Sequence, residues 1–247
     1  MQQQFAANAV DKRRILLIGA LAALMVTGVF CFGSLLSTQQ EYRHGAKVYE
    51  ATAVEAVELS VKAELPDVDF HNLYQLNEDV AGWLYCPDTA INYPVVQGQD
   101  NDFYLSHLID SSEGDCGTLF LDCDADRQAH NQVIYGHHMK DGSMFASLLH
   151  YQEQDYYDAH PVLYYITPQK SYEVQLFSGF TTEAVSAVYN HRFDKSDFGE
   201  WLSEMKAQSD FQSDVNPQKS DQVLTLSTCA YSFKNARYVV MGVLNPL

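Results

Sequence analysis

From Ile15 to Leu36 the chain runs for 22 residues without a charged side chain. At about 1.5 Å rise per residue a helix of that length reaches roughly 33 Å, enough to cross a hydrocarbon core, so a single transmembrane helix is expected at 15–36. Lys12, Arg13 and Arg14 lie just before the run. Because a basic flank stays on the cytosolic side, residues 1–14 form a cytoplasmic amino terminus and the rest of the chain lies outside the cell. A cleaved secretory signal is the competing reading, but its apolar stretch is only about 7–15 residues long. The 247-residue chain carries a net charge of −17, and residues 1–36 hold +2, so the exterior part carries −19. So acidic a surface excludes wrapping a phosphate backbone, and nucleic acid is not an expected partner.

Residues 37–66 read as a helical stalk or linker. Gln39, Gln40, Glu41, Ala51, Ala53 and Ala56 are helix-tolerant, no Gly or Pro follows Gly45 before Pro66, and Pro66 stops the helix. Residues 67–247 then form the exterior domain. It opens with a short helix in which Phe70, Leu73, Tyr74 and Asn77 share a 3–4 spacing and Asp69 is the N-cap. From Val80 the period changes to that of strands, at 82–86, 91–96, 118–121, 132–135, 162–166, 172–180, 222–228 and 236–244. Eight short strands separated by turn signals favour a barrel or sandwich. Two helices interrupt them, one beginning at Met144-Phe145-Leu148-Leu149 and one over about Ser196 to Ser209. Phe198, Trp201, Leu202 and Met205 give the second a single apolar stripe that suits a cover over the barrel.

Of the five cysteines, Cys31 lies in the uncharged run. Cys86, Cys116, Cys123 and Cys229 lie outside, where an oxidising environment normally pairs thiols. Cys116 and Cys123 are not expected to bond with each other, since seven extended steps separate them by about 23 Å against under 7 Å between the Cα atoms of a disulfide. No zinc-ribbon spacing or His-Glu-x-x-His motif occurs. Asp122-Cys123-Asp124-Ala125-Asp126 hints at a calcium loop, but Arg127 and Val133 stand where Gly and Glu are needed. Neither a metal nor another cofactor is expected.

Chemistry concentrates at the ends of three strands. Cys229 ends Leu224-Thr225-Leu226-Ser227-Thr228-Cys229, where a thiol faces loops and solvent. A cysteine is more commonly a small buried hydrophobe, and it becomes reactive when a nearby cation favours the thiolate. Arg237 begins the next strand, and adjacent strands about 4.8 Å apart bring it beside Cys229, where a guanidinium stabilises a thiolate and then an oxyanion. The alternative is an arginine in a solvated surface pair. The candidate base lies in Ile134-Tyr135-Gly136-His137-His138-Met139. Neighbouring residues point to opposite sides, so only one of the two histidines faces the thiol and the other is structural.

Thr225-Leu226-Ser227-Thr228-Cys229 with Arg237, and Tyr135-Gly136-His137, resemble the active-site signature of sortases, the membrane-anchored cysteine transpeptidases of Gram-positive bacteria. The segments 77–84, 92–97, 104–105 and 137–145 are similar to those of class B sortases, so the likeness runs from about Val68 to Leu244. The resemblance implies an eight-stranded β-barrel with amino-terminal helices and an extra helix before the cysteine-bearing strand. It implies Cys229 as nucleophile, His137 as general acid/base and Arg237 as stabiliser of oxyanion and substrate, with Ser227, Thr228 and Asn92 where the family contacts the sorting peptide. His138 is not expected to act. Arg237 follows the cysteine by eight residues here, with a shorter intervening loop than in some relatives.

The implied reaction cleaves a C-terminal sorting signal of surface proteins after a threonine, holds the acyl group as a thioester, and passes it to an amine. That amine is a peptidoglycan cross-bridge precursor or a pilin lysine. The alternative enzyme is a surface cysteine protease with the same Cys and His and water as acceptor, although His before Cys is not the papain order. A tethered, non-enzymatic β-barrel acting as an adhesin or assembly factor would need no thiol.

Overall fold

A computed structural model describes the backbone of residues 2–58, 65–126, 128–194 and 197–247, and their side chains from Ala23 onward except those of Val57 and Glu58. The chain divides into two compact units, Met1–His44 and Gly45–Leu247. Helix α1 (Gln2–Ala56) supplies the described residues of the first unit and the opening of the second. In the first, Leu24, Val26, Val29, Phe30, Phe32 and Leu35 are exposed. Among the described residues no helix is long and apolar enough to cross a membrane; the start of the uncharged run, 15–22, belongs to the stretch whose side chains are not described.

The stalk expected at 37–66 differs from what folds. From Gly45 onward α1 belongs to the second unit, where Tyr49, Thr52 and Ala56 are buried. The Tyr49 hydroxyl donates to the Gly117 carbonyl and lies 3.0 Å from Thr118 Oγ1, while its ring meets Tyr93 edge-on. The helix ends at Ala56 rather than running on toward Pro66, because the chain passes into β1 (Val57–Glu58), which pairs with β2 (Asp67–Val68). The Ala56 carbonyl is taken by the Asp69 N–H at 2.8 Å. Residues 59–64 of the expected stalk lie outside the described residues. Asp69 does cap the short helix α2 (Phe70–Leu76), accepting the Asn72 N–H, although only Leu73 of its expected stripe is buried.

The expected eight strands are β3 (Val80–Tyr85), β4 (Asn92–Val96), β5 (Leu119–Leu121), β6 (Asn131–Tyr135), β7 (Val162–Ile166), β8 (Ser171–Glu183), β9 (Val223–Cys229) and β10 (Ala236–Pro246). They close a barrel in the order β10-β8-β7-β3-β4-β5-β6-β9, which leaves no edge strand unpaired. Two of the pairings are parallel, β4 with β5 and β6 with β9. The helix expected at Met144 is instead a 3-10 segment, Ala146–Gln152, followed by α3 (Gln154–Ala159).

Helix α4 (Asp197–Ala207) matches the second expected helix; Ser196, its expected start, lies outside the described residues. Its Phe198, Trp201, Leu202 and Met205 bury their stripe against Phe177 and Phe180 of β8 and Val239 and Met241 of β10. At about 1.5–3 kcal/mol for each large apolar side chain, that contact holds the helix as a cover. The cysteines correct another expectation. Cys86, Cys123 and Cys229 are thiols rather than disulfide partners, and Cys116 and Cys123 are not bridged. Cys86 is buried beside Tyr151 and the Val162 carbonyl, in an interior position that keeps its thiol from the others.

Because Tyr49 packs into the second unit, Tyr49→Ala should cost about 3 kcal/mol and Tyr49→Phe about 1 kcal/mol. Urea unfolding of each variant checks this, and a stalk outside the domain would give no change in either.

Candidate active site

The parallel register of β6 with β9 sets Tyr135 opposite Ser227. Two residues further along each chain stand His137 and Cys229, so the imidazole and the thiol leave the barrel at the same level and on the same side. The path is held beyond the strands, since the Gly136 N–H donates to the Ser227 carbonyl at 3.1 Å and Thr228 Oγ1 donates to the Gly136 carbonyl at 2.8 Å. On the other flank of β9, antiparallel β10 places Arg237 directly opposite Cys229. Directly opposed residues of an antiparallel pair share a face, so Arg237 and Cys229 project from the same side of the sheet.

Cys229, His137, Arg237, Ser227 and Thr228 all line one open cavity of ≈ 230 Å³. Asn92 does not join them. It sits on β4 with its side-chain carbonyl accepting the Trp83 indole N–H at 2.8 Å, so its amide is engaged with the neighbouring strand. Ser227 and Thr228 are buried, and their hydroxyls are already bonded to Tyr189 and Gly136 respectively. They shape the cavity from within the strand. Cys229 is half-buried and lines the cavity.

His137 Nε2 lies 2.7 Å from the Leu105 carbonyl, an acceptor only, so that nitrogen carries a proton and Nδ1 is left for exchange. His138 turns elsewhere: its Nδ1 meets the Cys229 carbonyl at 3.3 Å and its ring packs edge-on to Tyr231. The Arg237 Nη1 donates to the Ala236 carbonyl at 3.1 Å, which ties one corner of the guanidinium to the start of β10. Burial, with Cys229 acting in the same sense, lifts the Tyr189 phenol above its usual range against the opposing pull of Ser227 and Arg237.

Leu105, Asn101, Phe120, Tyr135 and Tyr189 also line the cavity; Leu105 and Tyr135 fall in family-like segments of the sequence, whereas Asn101 and Tyr189 have no such mark. Asn101 lies in a polar loop and accepts the Cys123 N–H at 2.9 Å. Tyr189 ends a 3-10 turn, Ala187–Tyr189, in the long connection between β8 and α4. Neither carries a periodicity or spacing that marks it in advance. Asp122, Cys123 and Asp124 present ligand-type atoms within 4.8 Å of one another. The Asp122 carboxylate is already taken by Tyr135, His191 and the Asp124 N–H, in keeping with a hydrogen-bonded loop.

A cysteine, a histidine and an arginine that line one cleft are equipped for acyl transfer through a thioester. The sortase-domain family model matches residues 84–245, which include all three groups. The chain belongs to the sortase family. It is 34% identical over 238 residues to Sortase B of Listeria monocytogenes, covering 92% of this chain and 96% of that protein. It is likewise 34% identical to Sortase B of Staphylococcus aureus over 178 residues, 70% of this chain and 73% of that one. The solved structure of sortase B from B. anthracis superposes with a TM-score of 0.75 at 31% identity, covering 84% of this chain and 99% of that chain. The sortase fold is thus the eight-stranded barrel described above, and the chain is a sortase-type cysteine transpeptidase.

Gly136 is the hinge between β6 and His137. A Cβ there would come within 2.4 Å of the Leu119 side chain and 2.7 Å of the Phe145 ring, so in Gly136→Ala either those side chains or the backbone that carries His137 must shift. The expected cost is about 1–3 kcal/mol of stability, together with a drop in kcat larger than the folded fraction explains. Transfer assays corrected for folded fraction by circular dichroism check this, and a fully active folded variant would contradict it.

Proposed function

We propose that this sortase is anchored in the membrane by residues 15–36 and cleaves a C-terminal sorting signal of surface proteins, passing the acyl group to an amine. The single observation that carries the residue roles is the strand register that sets His137 level with Cys229 and Arg237 opposite it. Cys229 is the nucleophile, attacking a backbone carbonyl as the thiolate. Arg237 stabilises that thiolate and then the oxyanion of the tetrahedral intermediate. His137 gives a proton to the leaving amine as the C–N bond breaks and a thioester forms, then takes one from the incoming amine as the C–S bond breaks. Proton exchange at Nδ1 follows from the engagement of Nε2 by Leu105. Ser227 and Thr228 form the floor beneath the bound peptide.

The membrane reading is supported by the uncharged run, its basic flank, and the exposed apolar side chains from Leu24 to Leu36. A helix apolar on every side is poorly suited to water. An anchor of this orientation holds the catalytic unit outside the cell, beside newly exported proteins and lipid-linked peptidoglycan precursors, or a pilin lysine in the pilus-forming case.

The test offers the full chain a library of labelled threonine-containing peptides with triglycine as amine. Transfer product should form with the native chain, and Cys229→Ala should lower the rate by at least about 10³-fold. Arg237→Ala should cost about 10²–10³-fold in kcat. Equal activity of Cys229→Ala would refute the assignment, and hydrolysed peptide insensitive to added amine would make the chain a cysteine protease instead.

A further inference from the structure

One wall of the cavity is built from two aromatic rings, Tyr135 on β6 and Tyr189 in the connection before α4, with centroids 6.0 Å apart. Both are held by groups behind them. The Tyr189 hydroxyl lies 3.0 Å from Ser227 Oγ. The Tyr135 hydroxyl donates to Asp122 Oδ2 at 2.8 Å, and the other oxygen of that carboxylate faces His191 Nε2 at 3.3 Å. His191 stands two residues after Tyr189, and Asn131 holds the same segment by donating its amide to the Val188 and Asn190 carbonyls at 2.8 and 3.1 Å.

The two ring nitrogens of His191 reveal its charge. Nε2 faces a carboxylate oxygen, and Nδ1 lies 3.1 Å from the Asn131 carbonyl. Both partners only accept, so both contacts are made at once only when each nitrogen carries a proton. Neutral imidazole would turn a lone pair on one of the oxygens. We propose that Asp122 and His191 are positioning residues for the acyl-donor peptide, fixing the Tyr135–Tyr189 wall against which it rests without touching the reacting atoms. This builds on the reading of the cavity as the donor site.

Other groups facing the pair keep it charged. The hydrogen bond to Asp122 raises His191 above its ordinary 6.5 against the opposing effect of burial, and Asp124 adds to the rise. Burial pushes Asp122 upward, but hydrogen bonds from His191, the Asp124 N–H and Tyr135 outweigh it and hold the carboxyl well below its usual range. Burial lifts the Tyr135 and Tyr189 phenols and the Cys123 thiol above their ordinary values, so they stay neutral. Arg192 is paired with Asp126, and the His130 ring packs on Phe198. With His191 raised, the pair is complete below the ordinary histidine value and is lost as pH climbs through the raised one; with Asp122 lowered, the acid side is lost only in strong acid.

The experiment measures donor and amine KM separately for the full chain, between about pH 6 and pH 9. The donor is the labelled threonine-containing peptide cleaved fastest in the library, and the amine is triglycine. The native donor KM should rise about tenfold across this range. His191→Gln and Asp122→Asn should show the raised donor KM at every pH, with kcat and, at any one pH, amine KM unchanged. Tyr135→Phe, which keeps the ring and loses only the hydroxyl, should raise donor KM in the same sense if either charged-pair variant fails to fold. Direct binding of the peptide to Cys229→Ala, with and without His191→Gln, should show the same tenfold weakening. A native donor affinity that His191→Gln and Tyr135→Phe leave unchanged, or a loss confined to kcat, would overturn the positioning role while the enzyme still transfers. Absence of transfer by the native chain would instead overturn the reading of the cavity, and the proposal with it.

Discussion

The site depends on one backbone pairing, the parallel contact of β6 with β9. Parallel neighbours leave a sheet at the same end, so two residues far apart in the chain, His137 and Cys229, are delivered side by side because Tyr135 lies opposite Ser227. The antiparallel partner on the other side of β9 adds Arg237 at the level of the sulfur. A one-residue slip in either ladder would send a side chain to the opposite face and dissolve the constellation. Closure of the barrel guards against slippage, since every strand is committed to two neighbours.

The surroundings support that pairing from both ends. Gly136 allows the chain to leave β6 past Leu119 and Phe145 where no larger residue fits. Helix α4 buries four large apolar side chains against β8 and β10, and its Trp201 indole N–H donates to the Ala187 carbonyl at 2.9 Å, tying the cover to the turn that carries Tyr189. Packing of the cover and position of the cavity wall are therefore linked. The end of α1 makes a comparable contact at Thr118, just before β5, which makes that helical segment part of the domain it introduces.

Much of this was legible from residues alone. Strand alternation identified all eight barrel strands, the 3–4 spacing of Phe198, Trp201, Leu202 and Met205 located α4, and the positions of Cys229 at the end of one strand and Arg237 at the start of the next made them neighbours. What could not be read locally is strand order. Nothing in Asn131–Tyr135 says that it will lie parallel to a segment some ninety residues later, and the family resemblance supplied what periodicity could not. The end of α1 was misjudged because helix propensity continues past Ala56, whereas the backbone of Val57 and Glu58 is taken by β2. Compartment alone points to pairing of these cysteines, while Cys86, buried in the interior, and the half-buried Cys123 and Cys229 are thiols. Asn92 was assigned to the peptide by resemblance, yet its amide is bound to Trp83, and Tyr189 and Asn101 reach the cavity from connections with no pattern to announce them.

The β6–β9 register is tested most directly by a cross-link. In a His137→Cys chain exposed to mild oxidant, peptide mapping should find a disulfide between position 137 and Cys229, because neighbouring strands put paired positions within disulfide reach. The same treatment of Lys140→Cys should leave Cys229 unlinked. A bond at position 140 and none at 137 would contradict the register, and with it the convergence of thiol, imidazole and guanidinium.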